Sequence, residues 1–232
     1  MLVAGFPAGS WATNCYVLAA GPGEPCLVVD PGQESFGGVQ EIIAEHRLTP
    51  AAVLLTHGHI DHVWSVAPVT STFSIPAVIH RDDRYRLADP AGSSILAARE
   101  TLLAMTRHQL ELTEPDDVRI VGDDDVIDLA GLSLRVHHAP GHTEGSVVFT
   151  LDDTMFSGDV LFAGSIGRTD LPGGDHEAML ASLRRVILPA SDDVRVLPGH
   201  GPETTIGVER ATNPFLRALV DESQVPAQRT GL

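Results

Sequence analysis

The chain has 232 residues and carries 15 basic against 31 acidic side chains, for a formal net charge of −16 at pH 7. All the basic residues are arginine, and so acidic a chain lacks the basic face that nucleic acids and anionic membrane surfaces require. Because of this acidic charge, we expect neither nucleic acid nor membrane among its partners. The absence of lysine excludes a Schiff-base lysine, a P-loop lysine and a Ser-Lys dyad.

Short apolar runs between turn residues predict strands, and amphipathic patterns predict helices. In the first half, strands are predicted at 16–20, 26–29, 51–56 and 77–80, with helices at 39–46 and 81–114. In the second half, strands are predicted at 118–121, 126–129, 132–136, 147–151, 155–157 and 194–197. Asp175 is predicted to cap a helix that runs to about residue 187, and 203–220 to be helical with an interruption near Pro214. This order predicts a layered α/β (α+β) fold with sheets covered by helices.

No linker is long or polar enough to mark a domain boundary, so we predict a single domain over residues 1–232. Within it we predict a helical insert at about 81–114 and a short C-terminal helix and tail at about 211–232. Cys15 and Cys26 lie in apolar runs and are expected to be small buried side chains. The sequence shows neither a signal-peptide pattern nor an apolar run of the ~18 residues that a membrane span needs, so we expect a cytoplasmic protein.

Side chains of the kinds that bind metals follow several of the predicted strands directly, in the segments THGHIDH, APGHTEG, FSGD and LPGHG. They are His57, His59, Asp61, His62, His142, Asp159 and His200. Imidazole and carboxylate ligands suit Zn²⁺ and Fe²⁺. A hydrophobic core could not provide hydrogen-bond partners for the three imidazoles and one carboxylate that lie within six residues of THGHIDH. The other histidines are interpreted as surface or hydrogen-bonded residues: His46, His80, His108, His137, His138 and His176.

The motif THGHIDH, followed by His142, Asp159 and His200 in this order and spacing, resembles the metallo-β-lactamase superfamily over nearly the whole chain. The resemblance implies a four-layer αββα sandwich of two mixed sheets, with a metal site at the edge between them. It further implies two ligand sets with one shared residue: His57, His59 and His142 for the first ion, Asp61, His62 and His200 for the second, and Asp159 as the bridge.

Two divalent ions are therefore expected, above all Zn²⁺, with Fe, a mixed pair or single occupancy as alternatives. A hydroxide held by the metals would attack the substrate, and Asp61 would orient this hydroxide as well as bind metal. Thr143 and Ser146 either hydrogen-bond to the ligand loop or only cap its turn.

The stretch LFAGSIGRTDLPGGD after Asp159 is similar to glyoxalase II-like thioester hydrolases, especially a short branch of them. Persulfide dioxygenases share its GRTD element, whereas Asp61 and Asp159 distinguish the chain from the β-lactamases proper. Arg168 is expected to pair with Asp170 near the mouth of the site and is a candidate for substrate contact.

The chain departs from full-length glyoxalase II, whose C-terminal extension grips glutathione with Lys, Tyr and Arg side chains. Only a short segment follows His200 here, and lysine is absent, which leaves the thiol carrier open. The 81–114 insert could supply Arg84, Tyr85 or Arg86 instead, although a surface helix is the preferred interpretation of those three residues.

Two enzymatic hypotheses follow. The first is a hydrolase of thioesters of the S-lactoylglutathione type, or of another low-molecular-weight thiol. The second is a mononuclear iron persulfide dioxygenase, in which His57, His142 and Asp159 form a facial triad. A third possibility is a metal-binding scaffold, but structural metal sites are closed and this ligand set is open. The sequence carries no signal for an oligomeric state.

Overall fold

The computed structural model describes residues 1–89 and 113–224, which form two six-stranded mixed sheets. The first sheet runs in the order β1 to β6, antiparallel from β1 to β3 and parallel from β3 to β6. Its strands are β1 Leu2–Ala8, β2 Thr13–Ala19, β3 Pro25–Val29, β4 Thr49–Leu54, β5 Ala77–His80 and β6 Val118–Val121.

The second sheet has the order β12-β11-β10-β9-β8-β7, in which only β10 and β11 run parallel. Its strands are β7 Val126–Leu129, β8 Leu132–His138, β9 Val147–Leu151, β10 Thr154–Gly158, β11 Arg195–Pro198 and β12 Thr204–Thr205.

Helices and short helical turns connect these strands. In the first half they are α1 Phe36–His46, α2 Ile60–Val63, α3 Val66–Phe73, a 3₁₀ turn at Arg81–Asp83 and α4 Arg84–Ala88. In the second half they are α5 His176–Ser182, continued by a π-helical turn at Leu183–Ile187, then α6 Ile206–Thr212 and α7 Pro214–Gln224.

Three apolar clusters fill the spaces between four layers. Alternate strand residues point to opposite faces, so Tyr16 and Leu18 of β2 lie in the cluster between the sheets, whereas Val17 lies in the cluster beneath the helices. Val39 of α1 belongs to that outer cluster, and Met179 of α5 belongs to the corresponding cluster on the second sheet. Both faces of each sheet are therefore covered, which confirms the predicted αββα sandwich.

Most strands were predictable, but β1 was not. Gly5 and Pro7 interrupt its apolar pattern, and both are tolerated because β1 is an edge strand that pairs only with β2. The two-residue strand β12 and the short helices α2 and α3 were also missed. Asp175 caps α5 as predicted, since its side chain accepts a hydrogen bond from the Ala178 amide.

Two further sequence predictions are confirmed. The break near Pro214 separates α6 from α7, and Cys15 and Cys26 are both buried. Of the predicted 81–114 insert, residues 90–112 and therefore His108 lie outside the described residues, as do residues 225–232 of the predicted tail. The assignment of the chain to one domain stays a prediction. Among the described residues, no helix is both long enough and apolar enough to span a membrane.

We predict that Phe156→Ala lowers the free energy of unfolding by about 3–5 kcal/mol, because it opens a cavity between the sheets. Phe156 is fully buried, and its ring packs edge-on against Tyr16 of the opposite sheet at 5.5 Å between centroids. Urea unfolding of the metal-free protein measures the loss. Val208→Ala, at a side chain that is 52% exposed, is the control and should change stability by less than about 0.5 kcal/mol. A loss below about 1 kcal/mol for Phe156→Ala would contradict the packing.

Candidate metal centre

The strand ends of both sheets meet at one edge, where the loops carry the polar residues singled out in the sequence. His57 and His59 follow β4, and Asp61 and His62 lie in α2 directly after them. From the second sheet come His142 of the β8–β9 loop, Asp159 just after β10 and His200 just after β11. The structure therefore brings all seven predicted residues together, from four separate segments of chain.

The first group consists of His57, His59 and His142, whose ring nitrogens lie within 4.8 Å of one another. His59 Nδ1 lies 2.8 Å from His142 Nε2. The ring of His57 lies 4.8 Å from that of His59 and 4.7 Å from that of His142, between centroids. These are separations at which three imidazoles can share one ion.

The second group consists of Asp61, His62 and His200, and its ligand atoms also lie within 4.8 Å of one another. His200 Nε2 is 3.1 Å from Asp61 Oδ2 and 3.3 Å from His62 Nε2. Asp159 lies between the groups, with Oδ1 3.3 Å from His62 Nε2 and Oδ2 3.3 Å from His142 Nε2. Its carboxylate is thus placed to serve both groups.

Unpaired buried atoms test whether the cluster fits a metal. Within the described part of the chain, His57 Nε2, His59 Nε2 and Asp159 Oδ1 are buried and have no hydrogen-bond partner. A buried polar atom left without a partner costs about 1–3 kcal/mol. His59 faces the cluster through its other ring nitrogen, Nδ1, but His57 Nε2 and Asp159 Oδ1 both lie within the cluster. A divalent cation would satisfy these two atoms together, and imidazole and carboxylate are donors that such cations accept. The residues therefore fit a metal site.

The electrostatics of the cluster favour the ligand forms of most of its members. Burial, with the neighbouring imidazoles, lowers the pKa of His57 far below its usual range and that of His59 to about 3. Burial raises the pKa of the Asp159 carboxyl, but the charge of His62 outweighs it and holds the pKa at about 2. Neutral imidazole and ionised carboxylate are the forms that bind metal.

Two imidazoles are exceptions. Burial lowers the pKa of His200, but the hydrogen bond to Asp61 and the charge of Asp159 outweigh it and raise the pKa, and the upward shift is larger at His62. Burial lowers the pKa of His62 too, but the carboxylates of Asp159, Asp61 and Asp30 outweigh burial and raise it well above the usual value. This balance reflects the number of negative charges that surround one ring. In the absence of a cation, a proton on His62 supplies part of the compensating positive charge.

Hydrogen bonds from Nδ1 orient three of the imidazoles. His62 Nδ1 donates to Asp30 Oδ2 at 2.9 Å, His142 Nδ1 donates to the Arg168 carbonyl at 2.8 Å, and His200 Nδ1 donates to the Trp11 carbonyl at 3.2 Å. Each bond fixes the tautomer that leaves Nε2 free as a ligand atom.

Asp30 is a positioning residue that the sequence analysis missed. It is buried and accepts hydrogen bonds from the Thr56 amide at 2.8 Å and the Thr56 hydroxyl at 2.6 Å, besides the bond from His62. The available signal was its place directly after β3, in VVDPG.

The prediction that Arg84, Tyr85 and Arg86 form a surface helix is wrong for Arg86. Arg84 and Tyr85 are exposed, but Arg86 is fully buried and pairs with the equally buried Asp83. A charged side chain is rarely buried without such a partner, and nothing in the local sequence showed which acidic residue would supply it.

The loop after His142 is held by its own hydroxyls, which decides between the two roles considered for Thr143 and Ser146. The Thr143 hydroxyl donates to Asp83 Oδ2 at 2.7 Å. Ser146 Oγ accepts from the Thr143 amide at 3.1 Å and lies 2.8 Å from the Thr143 hydroxyl. Both residues therefore fix the ligand loop as well as its turn.

Arg168 pairs with Asp170 as predicted, through two nitrogen–oxygen contacts of 2.7 Å. Both side chains are exposed, so the pair lies at the surface. The backbone of Arg168 contacts the cluster through its carbonyl, and a substrate contact by its side chain stays a prediction.

Aromatic rings border the second group. The rings of Trp11 and Trp64 lie 6.0 Å apart between centroids, and Phe162 lies 6.0 Å from His200. Trp64 follows Asp61 by three residues in helical backbone conformation, which places both on one helix face. The sequence analysis missed these rings. The only signal was at Trp64, which follows the ligand residue His62 by two positions.

A further cluster of ligand-type residues, His80, Asp82 and His138, lies apart from the seven residues. The rings of His80 and His138 stack in parallel, 4.0 Å apart at 11°, so their in-plane lone pairs do not converge. His80 Nδ1 accepts a bond from the Asp82 amide, and His138 Nε2 donates to the Glu144 carbonyl. This arrangement confirms the interpretation of both as hydrogen-bonded residues.

Comparison with known proteins gives the family and its neighbours. The family model of the metallo-beta-lactamase superfamily matches residues 8–200. An uncharacterized protein of Mycobacterium tuberculosis is 48% identical over 227 residues, covering 94% of this chain and 99% of that protein. The hydroxyacylglutathione hydrolase GloC of Haemophilus influenzae is 34% identical over 214 residues, covering 91% of this chain and 96% of that protein.

Two solved structures are similar over nearly their whole length. The B3 metallo-beta-lactamase BLEG-1 is 40% identical with a TM-score of 0.82, covering 93% of this chain and 99% of that one. TTHA1623 in a di-iron-bound form is 36% identical with a TM-score of 0.75, covering 92% and 100%. The similarity to BLEG-1 disagrees with the expectation that this chain differs from the β-lactamases. Because TTHA1623 was solved with two iron ions, that similarity does not favour Zn²⁺ over iron as the metal of this chain.

We predict that His59→Ala reduces the metal retained after dialysis from about two ions per chain to about one, because the first group loses one of its three imidazoles. Elemental analysis of the purified protein measures the content. His176→Ala is the matched control, since His176 is exposed at the start of α5. Full metal content in the His59→Ala protein would refute the assignment of the first group.

Proposed function

The chain belongs to the metallo-beta-lactamase superfamily, and on that premise we propose that it is a metal-dependent hydrolase of small-molecule thioesters. The thioester would be of the S-lactoylglutathione type or carry another low-molecular-weight thiol. The proposed ligands are His57, His59 and His142 for one ion, Asp61, His62 and His200 for the other, and Asp159 between them. Support for the substrate class comes from the similarity to GloC and from the GRTD segment 167–170.

A difference in exposure between the two groups carries the catalytic interpretation. His57, His59 and His142 are buried, at 1%, 6% and 3% exposure. The side chains of Asp61 and His200 are 19% and 28% exposed. A structural metal site is closed on all sides, whereas this cluster is open beside the second group. A substrate would therefore approach from the side of Asp61 and His200.

Divalent ions bound in such a cluster would polarise a substrate carbonyl and lower the pKa of water to about 7, so that a nucleophile is available at neutral pH. The Asp61 carboxylate accepts a hydrogen bond from the Thr13 hydroxyl at 3.2 Å and keeps an exposed side. We propose that this side accepts a hydrogen bond from the attacking water and orients it. A thiolate is a good leaving group, so the reaction requires no strong general acid.

The alternative of a mononuclear iron persulfide dioxygenase uses His57, His142 and Asp159 as its ligands. Those residues do lie together, but so do Asp61, His62 and His200. Ligand-type residues can persist without a second ion, so the second group does not decide between the two enzymes. The similarity to GloC favours the hydrolase. Hydrolysis of β-lactams is a second candidate because of the similarity to BLEG-1. It likewise proceeds by attack of water on an acyl carbon, although the bond broken is an amide C–N bond instead of a thioester C–S bond.

One set of assays distinguishes these functions. The protein loaded with Zn²⁺ is expected to cleave S-lactoylglutathione, followed by loss of thioester absorbance, with slower or no turnover of a chromogenic β-lactam. Asp61→Asn should lower kcat by about 100-fold or more, because it removes both a proposed ligand and the group that orients water. His176→Ala should retain wild-type activity.

Other outcomes would overturn the proposal. Oxygen consumption on glutathione persulfide by the iron-loaded protein, with no thioester cleavage by either metal form, would establish the dioxygenase. Efficient β-lactam turnover with no thioester cleavage would establish the lactamase.

We further predict that the tryptophan pair contacts an apolar acyl chain of the substrate. Trp64→Ala should reduce the preference for a hexanoyl over an acetyl thioester of the same thiol by about 10-fold in kcat/KM, because each buried methylene contributes about 0.8 kcal/mol. Steady-state kinetics on the two substrates measure the ratio. Ile120→Ala, at an exposed residue of β6, is the control. An unchanged ratio for Trp64→Ala would exclude this contact.

A further inference from the structure

We infer that the buried ion pair of Asp83 and Arg86 is a positioning device for the first ligand group, holding His57, His59 and His142 in register from outside the cluster. The inference rests on the proposed ligand role of those three histidines.

The hydrogen bonds of the Asp83 carboxylate come from two residues directly beside proposed ligands, from a third residue in the loop after His142, and from Arg86. Oδ2 accepts from the Gly58 amide at 2.7 Å and from the Thr143 hydroxyl at 2.7 Å. Oδ1 accepts from the Gly145 amide at 2.9 Å and from Arg86 Nε at 3.2 Å. Gly58 separates His57 from His59, and Thr143 directly follows His142. All three histidines are therefore one residue away from a group that Asp83 holds.

The position of Asp83 in the fold explains why one carboxylate can reach both loops. Asp83 lies just after β5, the parallel neighbour of the strand β4 that leads into His57. The ends of parallel neighbours lie side by side at one sheet edge. The loop after His142 belongs to the opposite sheet, so the Asp83 carboxylate ties the two sheets together beside the cluster.

Two glycines in the ligand motifs make this close approach possible. A Cβ at Gly58 would lie 2.6 Å from Arg86 Cβ, and a Cβ at Gly145 would lie 2.6 Å from the Asp83 backbone nitrogen. Real side chains do not approach so closely. The glycines of THGHIDH and HTEGS are thus required by contact with the Asp83–Arg86 pair.

Arg86 supplies the countercharge and ties in a third loop. Asp83 and Arg86 are both fully buried, and a buried carboxylate is tolerated only when it is paired and hydrogen-bonded. Arg86 Nη2 donates to Glu144 Oε2 and to the Pro172 carbonyl at 3.1 Å. Pro172 follows Arg168 in the same loop, and the Arg168 carbonyl accepts the bond from His142 Nδ1. The pair therefore fixes both the main chain beside His142 and the acceptor of its ring.

The device can be tested by metal affinity, which a purely structural role would leave unchanged. Asp83→Asn keeps the size of the side chain but replaces one carboxylate oxygen by an amide NH₂ group. This group cannot accept the hydrogen bonds that the N–H and O–H donors around Asp83 make. We expect the Zn²⁺ affinity of one of the two ions to fall by 10- to 100-fold, as for other groups that orient ligands, with the second ion less affected. Competition against a chromogenic chelator measures both affinities.

Glu209→Gln is the matched control, because it alters another buried carboxylate with several hydrogen bonds. Glu209 is 1% exposed and accepts bonds from the Gly164 amide, the Thr204 hydroxyl and Asn213 Nδ2. None of these partners is a proposed ligand or its immediate neighbour. Glu209→Gln should destabilise the metal-free protein yet bind Zn²⁺ as the wild type does.

Thr143→Val provides a milder variant in case Asp83→Asn does not fold. It removes only the hydroxyl bonds of Thr143 and should weaken the same ion by up to about 10-fold. Wild-type Zn²⁺ affinities in both Asp83→Asn and Thr143→Val would overturn the inference while leaving the ligand assignment intact. Failure of the wild-type protein to bind Zn²⁺ or Fe²⁺ would overturn the proposed function, and the inference with it.

Discussion

Burial of imidazoles and carboxylates against one another is the constraint on which the functional edge depends. Water cannot satisfy His57, His59 or Asp159, and each keeps an unpaired buried atom within the described residues. Such atoms cost free energy that the rest of the fold must offset. The three apolar clusters between the layers supply that stabilisation. The unpaired atoms of the cluster and its fit to a cation therefore have one origin.

The two sheets have to stay in fixed relation for the cluster to form, since each sheet contributes part of it. Polar contacts between the sheets lie near this edge: the Tyr16 hydroxyl donates to the Pro198 carbonyl at 2.7 Å, and the Val147 amide donates to the Thr56 carbonyl at 2.8 Å. Because directional bonds fix register better than apolar contacts do, the sheets are held most precisely where the ligand geometry requires it.

The sequence predicts much of this arrangement, and what it does not predict has physical reasons. The seven cluster residues were identifiable because ligand-type side chains follow buried strands in glycine-containing loops. Asp30 and Asp83 were missed because a single acidic residue after a strand resembles any turn residue. Arg86 was wrongly placed at the surface because its burial depends on Asp83, and such long-range pairing leaves no local pattern. Strand β1 was missed because Gly5 and Pro7 hide an edge strand that only its pairing with β2 reveals.

The two ligand groups differ in how the fold supports them, and this difference bears on how the site would work. The first group is buried and fixed by the Asp83–Arg86 pair, so its geometry is set before any substrate arrives. The second group is partly exposed and bordered by Trp11 and Trp64, which are half-buried. Rigid support on one side lets the other side remain open without loss of ligand geometry. One face of the cluster would thus hold the ligands in fixed positions, and the other face would admit a substrate. A structural metal site would not need an open face.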